Sequence, residues 1–111
     1  MGAEQRRHVR HDVSVPAFMR TSNEAGAFLI TILDVSASGM RVTSSRGFPE
    51  GSRVVVKVRH EEITGVIRYS RGIGRGEFHL GIEAEVVSAG AENETGEIDL
   101  TRLFPAAQRN P

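Results

Sequence analysis

At 111 residues the chain has the length of one domain, enough for a single core and too short for two. Lys+Arg and Asp+Glu are 14 each, so the net charge is zero and a nucleic-acid binder held by general basic excess is excluded. The absence of cysteine excludes disulfides and thiolate metal sites.

The N-terminus departs from this neutral average. Arg6, Arg7 and Arg10 fall close together, with Glu4 the sole acid among the first ten residues. Neither a helix nor a strand requires such a cluster. Arginine offers five fixed N–H donors, a permanent charge and a flat face that stacks on rings. The cluster therefore suits a small ligand that is both anionic and aromatic, although a solvated basic terminus is the plain alternative. The opening Met1-Gly2-Ala3-Glu4 has no apolar run of the signal-peptide kind. Arg6 stands where a myristoylation motif has Ser or Thr. No segment approaches the ~20 apolar residues that cross a bilayer. A cytoplasmic protein without membrane insertion is expected.

Val13, Val15, Ala17 and Met19 alternate with Ser14, Phe18 and Arg20, which predicts a strand with one face inward. Pro16 cannot donate to a ladder, so it marks an edge or a bulge. Thr21 to Gly26 is polar and reads as a loop. Ala27 to Leu33 is a second strand with Phe28, Ile30 and Ile32 on one face. Asp34 to Gly39 breaks it, Met40 to Thr43 resumes alternation, and Ser44 to Gly51 is another loop. Ser52 to His60 is the clearest strand, Val54, Val56 and Val58 alternating with Val55, Lys57 and Arg59. Glu61-Glu62 reads as a turn and Ile63 to Tyr69 as the returning strand. Ser70 to Gly76, with three glycines, reads as a flexible loop before a last strand through Phe78, Leu80 and Ile82 toward Val87.

Ser88 to Gly96 is acidic and loop-like. Ile98, Leu100, Leu103 and Phe104 then predict a short helix near Gly96 to Phe104, its apolar stripe on the barrel and Pro105 as its stop. The fold expected is thus all-β: a six-stranded antiparallel, Greek-key-like β-barrel with a short C-terminal helix. Residues 1–11 form a flexible arginine clamp segment, residues 12–104 the barrel domain and residues 105–111 a disordered tail.

Asp34-x-Ser36-x-x-Gly39 lies between two predicted strands. Its plain use is an Asx or Ser turn followed by a positive-φ glycine. A carboxylate and a hydroxyl two residues apart also suit the edge of a guanine, whose N1–H and N2–H₂ are adjacent donors. Gly72 to Gly76 superficially has the composition of a phosphate-binding glycine loop, but a strand rather than a helix follows, so a hairpin is the better reading. His8, His11, His60 and His79 show no metal spacing, and no nucleophile–base arrangement is argued for, so neither a metal site nor an enzyme is expected.

Arg6-Arg7-x-x-Arg10, a strand-length gap and Asp34-x-Ser36-x-x-Gly39 together resemble the PilZ domain, the small β-barrel receptor for cyclic di-GMP. Arg6 and Arg10 match the family's RxxxR element, with Arg7 beside it. Asp34, Ser36 and Gly39 match its [D/N]xSxxG element, and Phe78-His79-Leu80-Gly81-Ile82 resembles its final strand. Ala84 departs from the aromatic residue often found there. The resemblance implies a non-enzymatic receptor of a bacterial second messenger, with cyclic di-GMP as ligand and no other cofactor. Arg6, Arg7 and Arg10 would take phosphates, guanine N7 and O6 edges or base faces. Asp34 and Ser36 would read a guanine edge, Gly39 would allow close backbone approach, and Arg41 and Gly81 are candidate accessory contacts, although a solvated strand residue is the plainer reading of Arg41. Ligand binding would order the arginine segment, and the signal would pass to an unidentified protein partner rather than to nucleic acid. The rival implication is a PilZ-fold interaction module without nucleotide binding.

Overall fold

The computed structural model describes residues 9–87 and 96–105. Most of the expected clamp (residues 1–8), the acidic loop over 88–95 and the tail from 106 onward lie outside the described residues. Six strands form the domain: β1 (His11–Thr21), β2 (Phe28–Val35), β3 (Gly39–Ser44), β4 (Arg53–Val58), β5 (Glu61–Gly74) and β6 (Glu77–Val87). All neighbours are antiparallel and the sheet closes in the order β1-β2-β3-β6-β5-β4. The β3–β4 connection crosses one end of the barrel, and β4 closes the ring on the second half of β1, from Phe18 opposite Lys57 to Thr21 opposite Val54.

Alternation explains the core. Ala17, Met19, Ile30, Ile32, Val42, Val54, Val56, Val58, Ile63, Ile67, Leu80 and Ile82 all point inward and are buried. Each Val, Leu, Ile or Met among them contributes roughly 1.5–3 kcal/mol on leaving water. Pro16 sits where β1 has β2 as its only partner, just past a register shift between Asp12 and Val15. Edge and bulge both apply there, and its missing N–H leaves no gap in a ladder.

Three local expectations are corrected. The β4–β5 turn falls on Arg59-His60, with Arg59 at φ 55°, so Glu61 and Glu62 belong to β5, opposite Val58 and Lys57. β5 runs through Ser70 to Gly74 instead of giving way to a flexible loop. A two-residue turn at Arg75-Gly76 (φ 58° and 74°) joins it to β6. Both turn residues have positive φ, the geometry that matches the twist of a hairpin. Finally, the C-terminal helix is a single 3₁₀ turn, η1 (Leu100–Leu103). Asp99 caps it, its carboxylate accepting from the Thr101 N–H at 3.1 Å. Leu100 and Leu103, three apart, eclipse in a 3₁₀ turn. Both are buried, as is Phe104. The apolar stripe is as expected; the helical length is not. No helix among the described residues is long and apolar enough to cross a membrane.

Candidate functional site

Asp34 continues the inward phase of Ile30 and Ile32 by count, which would aim a carboxylate into the core. A bulge prevents this. Ile32 pairs with Val42, but Asp34 pairs with Arg41, so β2 carries Leu33 as an extra residue across that step. Strict pairing would have set Asp34 opposite the buried Met40; that place is taken by Val35. The bulge shifts the phase by one, keeping Val35 inside and turning Asp34 toward a cation.

The carboxylate is 2% exposed and lies between two guanidinium groups. Arg10 Nη1 donates to Oδ1 at 2.7 Å. From β3, Arg41 donates to Oδ2 through Nε at 2.9 Å, with Nη2 at 2.8 Å from the same oxygen. A buried carboxylate needs such partners, since an unpaired one would be strongly destabilising. Arg10 precedes β1 and its side chain is 53% exposed, so its far end remains in water.

The following turn is built by its own backbone. Ser36 N–H donates to the Gly39 carbonyl at 2.9 Å, and the Ser36 hydroxyl donates to that oxygen at 3.4 Å. The turn is pinned from outside by Ala84 N–H on the Ser38 carbonyl and Leu100 N–H on the Ala37 carbonyl, both 2.9 Å. Gly39 is not a positive-φ residue. A Cβ there would lie 2.6 Å from the Ile82 carbonyl oxygen, so close approach of β3 to β6 is what requires glycine.

Beside this turn opens a cavity of about 250 Å³, lined by Arg10, Ser36, Ser38, Gly39, Met40, Arg68, Tyr69, Gly81, Ile82 and Glu83. Its far wall is made by a second bulge. Ile67 faces Ile82 and Tyr69 faces Gly81, leaving Arg68 as the extra residue of β5. The Tyr69 ring packs against Gly81, where a Cβ would be 2.1 Å from Cε2. Arg68 Nε donates to Glu83 at 2.5 Å on the exposed rim. The Arg71 guanidinium lies 5.7 Å from the centroid of the Tyr69 ring. A larger hollow of about 430 Å³ lies under Pro16, Ala17, Phe18, Lys57 and Arg59, but it holds no carboxylate and none of the signature residues.

The structure therefore brings Arg10, Asp34, Ser36 and Gly39 to one end of the barrel, sets Arg41 beside them, and places Gly81 on the cavity wall. Arg6 and Arg7 lie outside the described residues. Arg41 belongs to the carboxylate's environment more closely than a solvated strand residue would. Arg68, Tyr69 and Glu83 are additions that no motif signals. The one sequence hint is that the chain's single tyrosine stands on the strand that pairs with Gly81. Together the groups offer cations, an aromatic face and buried hydrogen-bond acceptors around one opening.

These features are those of a small closed β-barrel domain with a polar site at one end. The PilZ domain family model matches residues 4–98, and the chain belongs to that family. Comparison with curated proteins gives no match. Among solved structures, that of the Bacillus subtilis inhibitor of motility (MotI/DgrA) is similar, with a TM-score of 0.58 and 20% identity. The match covers 78% of this chain and 44% of that one, so this chain spans less than half of that protein's length. At this identity the likeness is one of fold.

Proposed function

We propose that the chain is a cyclic di-GMP receptor, acting as a binding module and not as a catalyst. The observation that carries this reading is that Arg10, which lines an open cavity together with Ser36 and Gly39, holds the buried carboxylate of Asp34, 24 residues away. The ligand's two phosphates call for guanidinium groups, and its guanines call for a carboxylate acceptor and a flat face. Arg10 and Tyr69 line the opening, and the Asp34 carboxylate lies buried directly behind Arg10.

In this reading the arginine segment that precedes β1, with Arg6 and Arg7, closes over the ligand and becomes ordered on it. Ordering costs roughly 1–2 kcal/mol per residue. Charge-assisted bonds to phosphate, about 1.5–3 kcal/mol each, offset that cost for several residues. The covered barrel end is then a new surface for a protein partner in the cytoplasm. Calorimetric titration tests the reading, with cyclic di-GMP as ligand and GMP and a short single strand as controls. Binding by the wild type that disappears in Arg6→Ala and Asp34→Ala is expected. Absence of heat with the dinucleotide would turn the assignment to an interaction module without nucleotide binding.

A further inference from the structure

Resting on that reading, we propose that Arg41 is the positioning residue for Asp34, and that Arg10 is a removable cover which the ligand displaces. Asp34 has about four acceptor positions on its two oxygens. Arg41 approaches Oδ2 with both Nε and Nη2, while Arg10 holds Oδ1 with Nη1 alone. With both arginines in place, the carboxylate is not free to accept the paired N1–H and N2–H₂ of a guanine. One arginine must leave.

The two are unequal in a way that selects which. Arg10 precedes β1, and its side chain is 53% exposed. Arg41 lies within β3, is 38% exposed, and is the direct cross-strand partner of Asp34. Arg10 can swing toward a phosphate without disturbing a ladder, whereas Arg41 is fixed by strands on both sides, β2 and β6. When Arg10 goes, a carboxylate only 2% exposed keeps one counter-charge and one fixed direction. Without Arg41 the exchange would leave it with neutral guanine donors and no counter-charge, which is why the second cation is needed. Arg41 thus acts through Asp34 on guanine recognition and touches no ligand atom itself.

The test is calorimetric titration of the full chain, wild type, Arg41→Ala and Arg41→Lys, with cyclic di-GMP and with cyclic di-inosine monophosphate, which lacks the 2-amino group. The wild type should prefer the guanine dinucleotide by roughly tenfold or more, the worth of one hydrogen bond to a charged group. Arg41→Ala should lower cyclic di-GMP affinity and bring the preference to within about twofold. Arg41→Lys should keep part of both, because it retains charge and loses the fork. Should Arg41→Ala fail to fold, Arg41→Lys carries the same comparison. A variant that keeps the wild-type preference, whatever its absolute affinity, overturns the role of Arg41 and leaves the receptor reading standing. Wild-type binding without preference also overturns it, since Asp34 would then not read the guanine edge. A wild type that binds neither dinucleotide removes the receptor reading itself.

Discussion

Gly39 and Gly81 show how differently two glycines in one site can be required. At Gly39 a side chain would meet a backbone oxygen of β6, 2.6 Å from the new Cβ, inside a paired ladder that cannot yield locally. Gly39→Ala should therefore cost about 1–3 kcal/mol, the usual range for overpacking, read as a lower melting temperature. At Gly81 the obstacle is the Tyr69 ring, a half-buried side chain that can swing toward water. Gly81→Ala should cost less stability than Gly39→Ala but remove one wall of the cavity. If that ring stacks on a base, cyclic di-GMP affinity should fall by roughly tenfold. A Gly81→Ala protein with unchanged affinity would show that the ring has no part in binding. Asp34→Ala should destabilise the free protein by only about 1–2 kcal/mol, because the stranded Arg10 and Arg41 side chains, 53% and 38% exposed, already reach water. Urea denaturation without ligand measures that.

Among the elements, η1 does more than close the barrel. Leu100 and Phe104 are fully buried, and the Leu100 N–H holds the Ala37 carbonyl within the signature turn. The Arg59 guanidinium also donates to the Leu103 carbonyl and stands over the Phe104 ring. Phe104→Ala should cost about 3–5 kcal/mol in urea denaturation, the range for a large core aromatic. It should also weaken ligand binding while leaving every binding residue intact. Unaltered affinity in a still-folded Phe104→Ala protein would show that the turn holds itself. These elements also mark what was legible beforehand. Period-2 patterns, β-branched runs and turn signals together announced all six strands and the inward residues of β1, β2 and β4, because a half-buried strand leaves that imprint directly. The length of β5 did not show. Gly72 and Gly74 have poor strand propensity, and pairing with Phe78 and Glu77 overrides it. The Arg41–Asp34 pair was hidden for a related reason. It depends on a bulge at Leu33, and a bulge is a property of two strands together. The spacing of Ile32 and Val35, both buried at an odd interval, is its trace in the sequence.

At the scale of the whole molecule, a closed six-stranded ring leaves little room for a ligand to reshape the fold. The ring is closed by β4 on β1 from Phe18 to Thr21, well along the strand from Asp12, the β1 residue opposite Asp34. A signal generated at the site must then reside in the barrel end and in the segment that joins it, not in a rearranged sheet. Hydrogen exchange distinguishes the two. On adding cyclic di-GMP, slowed exchange is expected before His11 and around Ser36 to Gly39, with little change in β4. Redistribution of protection throughout the ring would contradict the clamp. The same logic fixes the size of the thermal response. A ligand that binds only the folded state, at a hundredfold excess over its Kd, stabilises it by about 2.7 kcal/mol. In a domain of this size that raises the melting temperature by roughly 10 °C or more. With a net charge of zero there is no general attraction to polyanions, so GMP or a short single strand at equal concentration should leave the transition where it was. Equal stabilisation by all three would mean that the site binds phosphate without reading a base, and the roles given to Asp34 and Tyr69 would have to be withdrawn.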